Sequence, residues 1–505
     1  MAGSATIGLD IGTSATKGVL LGDDGSVLAT ASASYPLHTP KPGWSEQRPQ
    51  DWWQASVEVL KKLTSARPVQ IAAVGLSGQM HGSVFLDADD EVIRPALLWN
   101  DGRTHAECAD IARRVGKERV VQITGNLPST GFQAPKILWL RTYEPAAADR
   151  IARVLLPKDF IRLRLTGEAA SDASDASGTL LLDIATRRYS PEMLAALEIP
   201  ESWLPEVYEG PEITGWITGD AASVTGLPAG IPVVAGGGDN ACAAIGAGVI
   251  TAGIGACSVG TSGTIFVHAD KPLVDPTGAL NAFCAAVPGG WHSMGVVLSA
   301  GGCLSWYKDA VQPGDAAVLG KLGLDIFTAL IDSAADVPPG AEGLLFLPYL
   351  AGERSPHLDP HARAAWIGLS LAHDRRHMVR ALLEGVGFAL VDCLERMRAL
   401  GAAAERFSLV GGGGRSPAWR RILAAQLGST LELPAAEEGP ALGAALLAQV
   451  GGGLAADLTT AVRRAAHGEV AVETPDAELK AAYASVYARW RKAYPALKAS
   501  GLFDA

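Results

Sequence analysis

Two Gly-Thr-Ser triplets, each closing a turn between short apolar strands, constrain this chain more than anything else in it. The first lies in TIGLDIGTSATKGVLLG, residues 6–22, and the second in ACSVGTSGTIFVHA, residues 256–269. Glycine permits a tight turn, and the flanking Ile, Val and Leu runs read as buried strands. The same strand–turn–strand opening, repeated about 250 residues apart, predicts two related α/β units facing one another. A length of 505 residues agrees, because one core seldom grows past about 250–300 residues. The expected domains are residues 1–250 and 251–505.

Strands alternate with helices along the rest of the chain, as in layered α/β domains. The pattern predicts a helix over 50–65, a buried strand at VQIAAVGLSG (69–78) and a hairpin around Asp87–Asp90. Helices are expected over 103–117 and 191–198, then a long one near 374–400, with others near 417–427 and 441–449. A strand at RFSLVGGGG, 406–414, precedes the last two. Residues 241–260 are uncharged for twenty positions, long enough for a bilayer, yet mostly Ala and Gly. They read better as a buried helix followed by a strand. The start carries no basic region ahead of an apolar segment, so no signal peptide is read and a cytoplasmic location is expected. A net charge of −11 with no Lys/Arg cluster argues against a nucleic-acid surface, so any anion must be met by local groups. Six cysteines without a CxxC pair fit reduced core thiols better than a disulfide frame or a zinc site.

The chemistry begins with the turns. Successive amide N–H groups and two hydroxyls pointing into one concavity suit phosphate oxygens. Lys17 adds positive charge to the first turn, and Asp10 can hold a hydrated magnesium ion. Short Gly/Ser/Thr turns are also ordinary hairpin material, and the first turn alone decides nothing. A third glycine-rich element, LVGGGGRSPAWRRILAAQLG (409–428), is a strand ending in glycines before a helix, a common place for a nucleotide. In AGGGDN (235–240), Asp239 follows three glycines, so no side chain crowds a ligand brought near it. Asp239 either takes the proton of a hydroxyl that attacks a γ-phosphate or caps the helix that follows. GLSGQMHGSVFLD (75–87) presents Gln79, Met80 and His81 between two strands, an amide, a soft apolar group and an imidazole suited to a small polyol.

The order of these elements resembles the actin-like ATPase superfamily: α/β, two ribonuclease-H-like domains facing an interdomain cleft. Together with PGWSEQRPQDWW, PALLWNDGR, GNLPSTGFQAPKILWLR and FLPYLAGERSPHLDPHARAAWIGLSL, they are similar to the FGGY carbohydrate kinases from about Thr6 to Gln449. Segment 131–141, with Lys136 and Trp139, matches one family signature, and the stretch from Ala365 to about Glu384 matches the other. The resemblance implies transfer of a phosphoryl group from ATP, with Mg2+, to D-xylulose. Asp239 matches the catalytic base, Met80 and His81 the sugar-binding pair, and Asp239 with Asn240 contact the same sugar. Asp10 matches the magnesium-associated carboxylate. Gly12, Thr13, Ser14 and Lys17 match the first phosphate loop, Gly260, Thr261 and Ser262 the second, and Gly411, Gly412 and Gly413 the adenosine-side loop. Glycerol kinases carry an Arg-Glu pair where this chain has Met80–His81, which counts against glycerol. Ribulose, gluconate, fuculose and erythritol are alternative acceptors, and an actin-like ATPase of chaperone or filament type is a more distant one. The resemblance also allows a homodimer, with no nucleic-acid or membrane partner.

Two other patterns are set aside. HLDPHARAAWIGLSLAHDRRH (357–377) holds two H-x3-H pairs, but Pro360 breaks the first and a strand pattern separates them, against a zinc site. Trp44, Trp52 and Trp53 are expected to pack against the first sheet rather than to form a sugar platform.

Overall fold

The computed structural model describes residues 3–314, 323, 325–433, 439–466 and 471–503. In the first half, β1 (Ser4–Ile11), β2 (Ala15–Gly22) and β3 (Val27–Ser34) form an antiparallel run. Helix α1 (Pro49–Ala66) packs on β2 and β3. Trp52, Ala55, Val59, Leu60 and Leu63 fall on its buried face at helical spacing, and proline opens it where the missing N–H costs nothing. Strand β4 (Gln70–Gly78) lies parallel to β1 on the other side. Helices α2 (Pro157–Thr166) and α3 (Ala173–Ala176) follow. Then come β5 (Ile213–Trp216), β6 (Pro232–Val234), β7 (Gly237–Gly238) and helix α4 (Asp239–Gly246). The resulting seven-stranded sheet runs β5-β6-β4-β1-β2-β3, with β7 also paired to β4.

The second half repeats the arrangement. Strands β8 (Gly253–Val259) and β9 (Gly263–Ala269) flank the second turn, and β10 (Asn281–Cys284) and β11 (Trp291–Val297) extend the antiparallel side. Helix α5 (Arg375–Ala399) leads to β12 (Ala404–Val410), which lies parallel to β8 as β4 lies to β1. Helix α6 (Pro417–Leu427), β13 (Thr430–Glu432), helix α7 (Gly439–Gly451) and β14 (Val472–Glu473) complete the order β10-β11-β9-β8-β12-β13-β14.

Helix α7 follows the second sheet in sequence but packs on the first. Its residues 441–449 are all buried, so a helix of Ala, Leu and Gly without a polar face lies between β1, β4 and α4. The approach is close. A Cβ at Gly8 would fall 1.9 Å from the Ala441 carbonyl oxygen, one at Gly75 2.0 Å from that of Ala444, and one at Gly443 1.9 Å from that of Cys242.

Several expected elements differ in extent. The helix read over 103–117 is His105–Ile111, a π-turn over Ala112–Gly116 and a further helix Lys117–Thr124; Gly116, at φ +91°, interrupts the ladder. The hairpin around Asp87–Asp90 narrows to one bridge, Leu86 to Val92, because Val84–Leu86 pairs with Arg153–Leu155 instead. Trp52 and Trp53 pack against the first-sheet core, whereas Trp44 lies in a neighbouring cluster beneath the Arg103 guanidinium, 3.6 Å away. Among the described residues no helix is long and apolar enough to cross a membrane. His357 stacks on Tyr494 and His377 closes a capping box with Asp374, so the H-x3-H pairs are structural.

Candidate active site

The site forms where strands end. In the first sheet Asp10 of β1, Ser77 of β4 and Gly237 of β7 stand abreast in register. The Ser77 hydroxyl donates to Asp10 Oδ1 at 3.2 Å. Burial pushes the Asp10 carboxyl up to about 6, with Ser77 and the nearby Lys17 opposing the shift. Asp239, first residue of α4, is pushed to about 7 by burial and by repulsion from Asp10, against one hydrogen bond from the Asn240 N–H at 2.7 Å. Two like carboxylates holding each other's protons apart in a cleft mark a place where a cation or a reacting proton belongs. Gly238, not Asp239, is the N-cap of α4; Asp239 is its first residue and accepts the free N–H of Asn240 in the first turn.

Glycines at 236–238 bring the carboxylate in. Gly236 has φ +74°, and a Cβ there would fall 1.8 Å from the Leu76 carbonyl oxygen; a side chain at 238 would run into Met80. The Asn240 amide lies 4.0 Å from the Met80 sulfur, so the two expected sugar contacts adjoin. His81 sits at φ +71°, its backbone carbonyl held by the buried Lys136 ammonium at 2.8 Å. Its Nδ1 is 2.7 Å from the Gly178 carbonyl oxygen, and burial, with Lys136 and Arg354 repelling a proton, lowers its pKa to about 3. The ring is therefore neutral. The carbonyl fixes the one hydrogen on Nδ1, and Nε2 remains an acceptor for a ligand hydroxyl.

Gln79 is placed differently from its neighbours. Its amide donates to the Gly12 carbonyl at 3.3 Å and to Gln47 at 3.0 Å, and accepts from the Thr13 hydroxyl at 3.3 Å, so it braces the first turn. Gln47, Tyr35 and Trp99 join it: Gln47 Nε2 donates to the Thr13 carbonyl, the Tyr35 hydroxyl to the Gly12 carbonyl, and the Trp99 indole to the Thr13 hydroxyl. Ser14 and Lys17 stay exposed at the turn.

The second turn is built alike. The Gly260 N–H donates to the Ser262 carbonyl, and Ala300 and Gly301 bind the turn's outward carbonyls. Beside it, Gly411 (φ +89°) admits no side chain, since a Cβ would lie 2.7 Å from the Val259 carbonyl oxygen. A cavity of about 550 Å³ joins the halves, with Asn240 and Ala243 on one wall and Ser258, Thr264, Gly411 and Gly412 on the other. A second, of about 850 Å³, is lined by Gly260, Thr261, Gly412, Gly413 and Trp419, whose buried indole N–H has no partner among the described residues. Sequence reasoning missed Trp419 and Gln47, which lie in segments read only as helix and packing. It also missed Arg354, whose guanidinium has no hydrogen bond or ion pair among the described residues and whose charge reaches His81 from the other half. The unassigned Glu-Arg of FLPYLAGERSP was the one available signal.

Residues 5–246 match the N-terminal domain of the FGGY family of carbohydrate kinases, and residues 255–452 its C-terminal domain. The xylulose kinase of Escherichia coli K12 is 46% identical over 88% of this chain and 89% of its own. That of Lactococcus lactis is 40% identical over 97% and 96%. The crystal structure of xylulose kinase from Rhodospirillum rubrum superposes with a TM-score of 0.91 at 32% identity, covering 99% of this chain and 100% of that one.

Proposed function

The chain belongs to the FGGY family of carbohydrate kinases, and from that premise we propose that it transfers the γ-phosphoryl group of ATP to the C5 hydroxyl of D-xylulose, with Asp239 as the general base. The observation that carries the reading is a carboxylate pushed up to about 7 at Asp239, beside Asn240, which lines a cavity shared by the two halves and adjoins the Met80 that precedes the neutral His81. Relatives named xylulose kinase support the choice of sugar.

In this reading His81 Nε2 and the Asn240 amide hold sugar hydroxyls, and the Met80 thioether lies along the carbon chain. Asp239 accepts the proton of the attacking hydroxyl as its oxygen bonds to the γ-phosphorus. The bond from that phosphorus to the β–γ bridging oxygen breaks and ADP departs. Asp239 then releases its proton to solvent. Positioning and charge stabilisation supply most of the rate in phosphoryl transfer. The turns at Gly12–Ser14 and Gly260–Ser262 offer N–H and hydroxyl donors to the phosphates, Lys17 and Arg354 add positive charge, and Gly411–Gly413 with Trp419 border the adenosine. Asp10 suits Mg2+, which retains several waters and binds through few carboxylates while neutralising phosphate charge.

ADP release is to be measured over D-xylulose, D-ribulose, D-gluconate, L-fuculose, erythritol and glycerol. The highest kcat/KM is expected with D-xylulose. Background ADP production with D-xylulose would overturn the proposal.

A further inference from the structure

Behind the turn that carries Asp239 lies a cluster of charge with no access to water. Lys158, Asp159 and Arg162 come from α2, and Asp172, Ser174 and Asp175 from the α3 segment; all six are fully buried. Lys158 Nζ lies 2.5 Å from Asp159, 2.8 Å from Asp172 and 3.6 Å from Asp175. Two cations balance two of the carboxylates. Burial and the neighbouring negative charges, against the pull of Lys158, push the third, Asp175, well above the usual carboxylate range. Taking so many charges out of water is costly and seldom stabilises a fold by itself, which leaves the question of what the cluster holds.

It holds both ends of one short strand. Arg162 donates to the carbonyls of Val234 at 2.9 Å and Ala235 at 2.5 Å. At the far end the Gly238 N–H donates to Ser174 Oγ at 3.1 Å, and that hydroxyl donates to the Asp172 carboxylate, itself paired with Lys158. Between these grips run Gly236, Gly237 and Gly238, three residues with more backbone freedom than any others. Asp239 comes next, facing the repulsion of Asp10. The two-residue strand is already paired with Ser77 and Gly78 of β4, and the Ser174 bond is the last side-chain hold on its backbone before Asp239.

We infer that Ser174, oriented by Asp172 and Lys158, is a positioning residue for Asp239: it fixes the Gly238 amide and so the place of the carboxylate. The inference rests on the reading of Asp239 as the base. A misplacement of about 1 Å at a reacting group costs about 100-fold in rate. The effect belongs in turnover, because the Ser174 hydroxyl bonds Gly238 and Asp172, whereas His81 is bonded through Gly178 and Lys136.

The test compares Ser174→Ala, Ser174→Thr and Asp172→Asn with Asp239→Asn in steady-state kinetics at saturating ATP, with melting temperatures alongside. Ser174→Ala is expected to lower kcat about 10- to 100-fold, leaving KM for D-xylulose and ATP within about threefold. Ser174→Thr, which keeps the oxygen, should recover most of that loss. Asp172→Asn, which keeps the hydroxyl but frees its rotor, should fall between. Wild-type kcat in Ser174→Ala would overturn the inference, as would equal losses in the Ala and Thr variants or a loss confined to KM. If Ser174→Ala does not fold, Asp172→Asn decides alone, and an unchanged kcat there overturns it. An inactive Asp239→Asn beside an unaffected Ser174→Ala refutes only the positioning role. An active Asp239→Asn refutes the base itself.

Discussion

Asp239→Asn removes the proton acceptor without changing the side chain's shape, and the site predicts two opposite consequences. Turnover should fall by about 10² to 10⁴, the usual contribution of a positioned base, which corresponds to roughly 3–5 kcal/mol at 1.36 kcal/mol per tenfold. Stability should rise. The carboxyl titrates at about 7 in the folded chain against 3.8 for an unperturbed aspartate, so the folded state binds the extra proton. Ionising it therefore costs stability progressively from about pH 4 upward, fully above pH 7. A shift of about three units sets a ceiling near 4 kcal/mol. Asp239 is only half-buried, so solvent screening reduces this to about 1–2 kcal/mol, or a few degrees in Tm. Coupled ADP release gives the first quantity and thermal melts at pH 5 and pH 8.5 the second. The wild-type rate should also fall tenfold per unit below an acidic limb no higher than about 7, because a cation beside Asp10 removes part of the repulsion. Turnover within tenfold of wild type, or an equal gain in Tm at both pH values, would refute the reasoning.

His81→Ala should raise KM for D-xylulose by about 10-fold or more through the lost acceptor. Because the ring stays neutral down to about pH 3, sugar-dependent rates between pH 5 and 9 should show no histidine limb. Gly443→Ala should lower Tm, since its Cβ would fall 1.9 Å from the Cys242 carbonyl oxygen; overpacking of this kind costs about 1–3 kcal/mol. Gly412→Ala has nothing within 4 Å of its Cβ, so Tm should hold while KM for ATP rises. ATP hydrolysis without sugar should be far slower than phosphorylation, and solution scattering should show compaction only when sugar and nucleotide are both present.

How far the sequence announced this molecule depends on whether a feature is local. Helix α6 starts at Pro417 and ends at Leu427 as expected, because serine at its cap and Gly428 after it punctuate the pattern. The two strand–turn–strand openings were legible for the same reason. The destination of α7 was not: nothing in residues 439–451 says that a helix from the second half will lie on β1 and β4. Glycines 8, 75, 246 and 443, scattered over the chain, make room for it. The site divides along the same line. Asp10, His81 and Asp239 stand out in the sequence by their chemistry, while Gln79, read with them as a sugar contact, is bonded to the Gly12 turn and to Gln47. Its partner Gln47 sits in a stretch whose tryptophans drew the attention.

In the proposed reading, the repeat lets one architecture serve two unlike ligands. In each sheet a strand lies parallel to the one that ends in a Gly-Thr-Ser turn, β4 beside β1 and β12 beside β8, and ligands gather outside such carboxyl ends. The residues that leave β4 are Gln79, Met80 and His81, which present side chains. Those that leave β12 are Gly411, Gly412 and Gly413, which present none. At the second position a side chain on Gly411 would meet the Val259 carbonyl oxygen at 2.7 Å, and one on Gly413 would strike the Val259 side chain at 2.5 Å. Gly412 and Gly413 line the 850 Å³ cavity beside the second turn, while the corresponding loop of the first sheet carries an imidazole and a thioether. The two loops are topological equivalents. In the proposed reading one loop borders a nucleotide and the other a small polyol, and the difference follows from the Met80 and His81 side chains, which the second copy lacks.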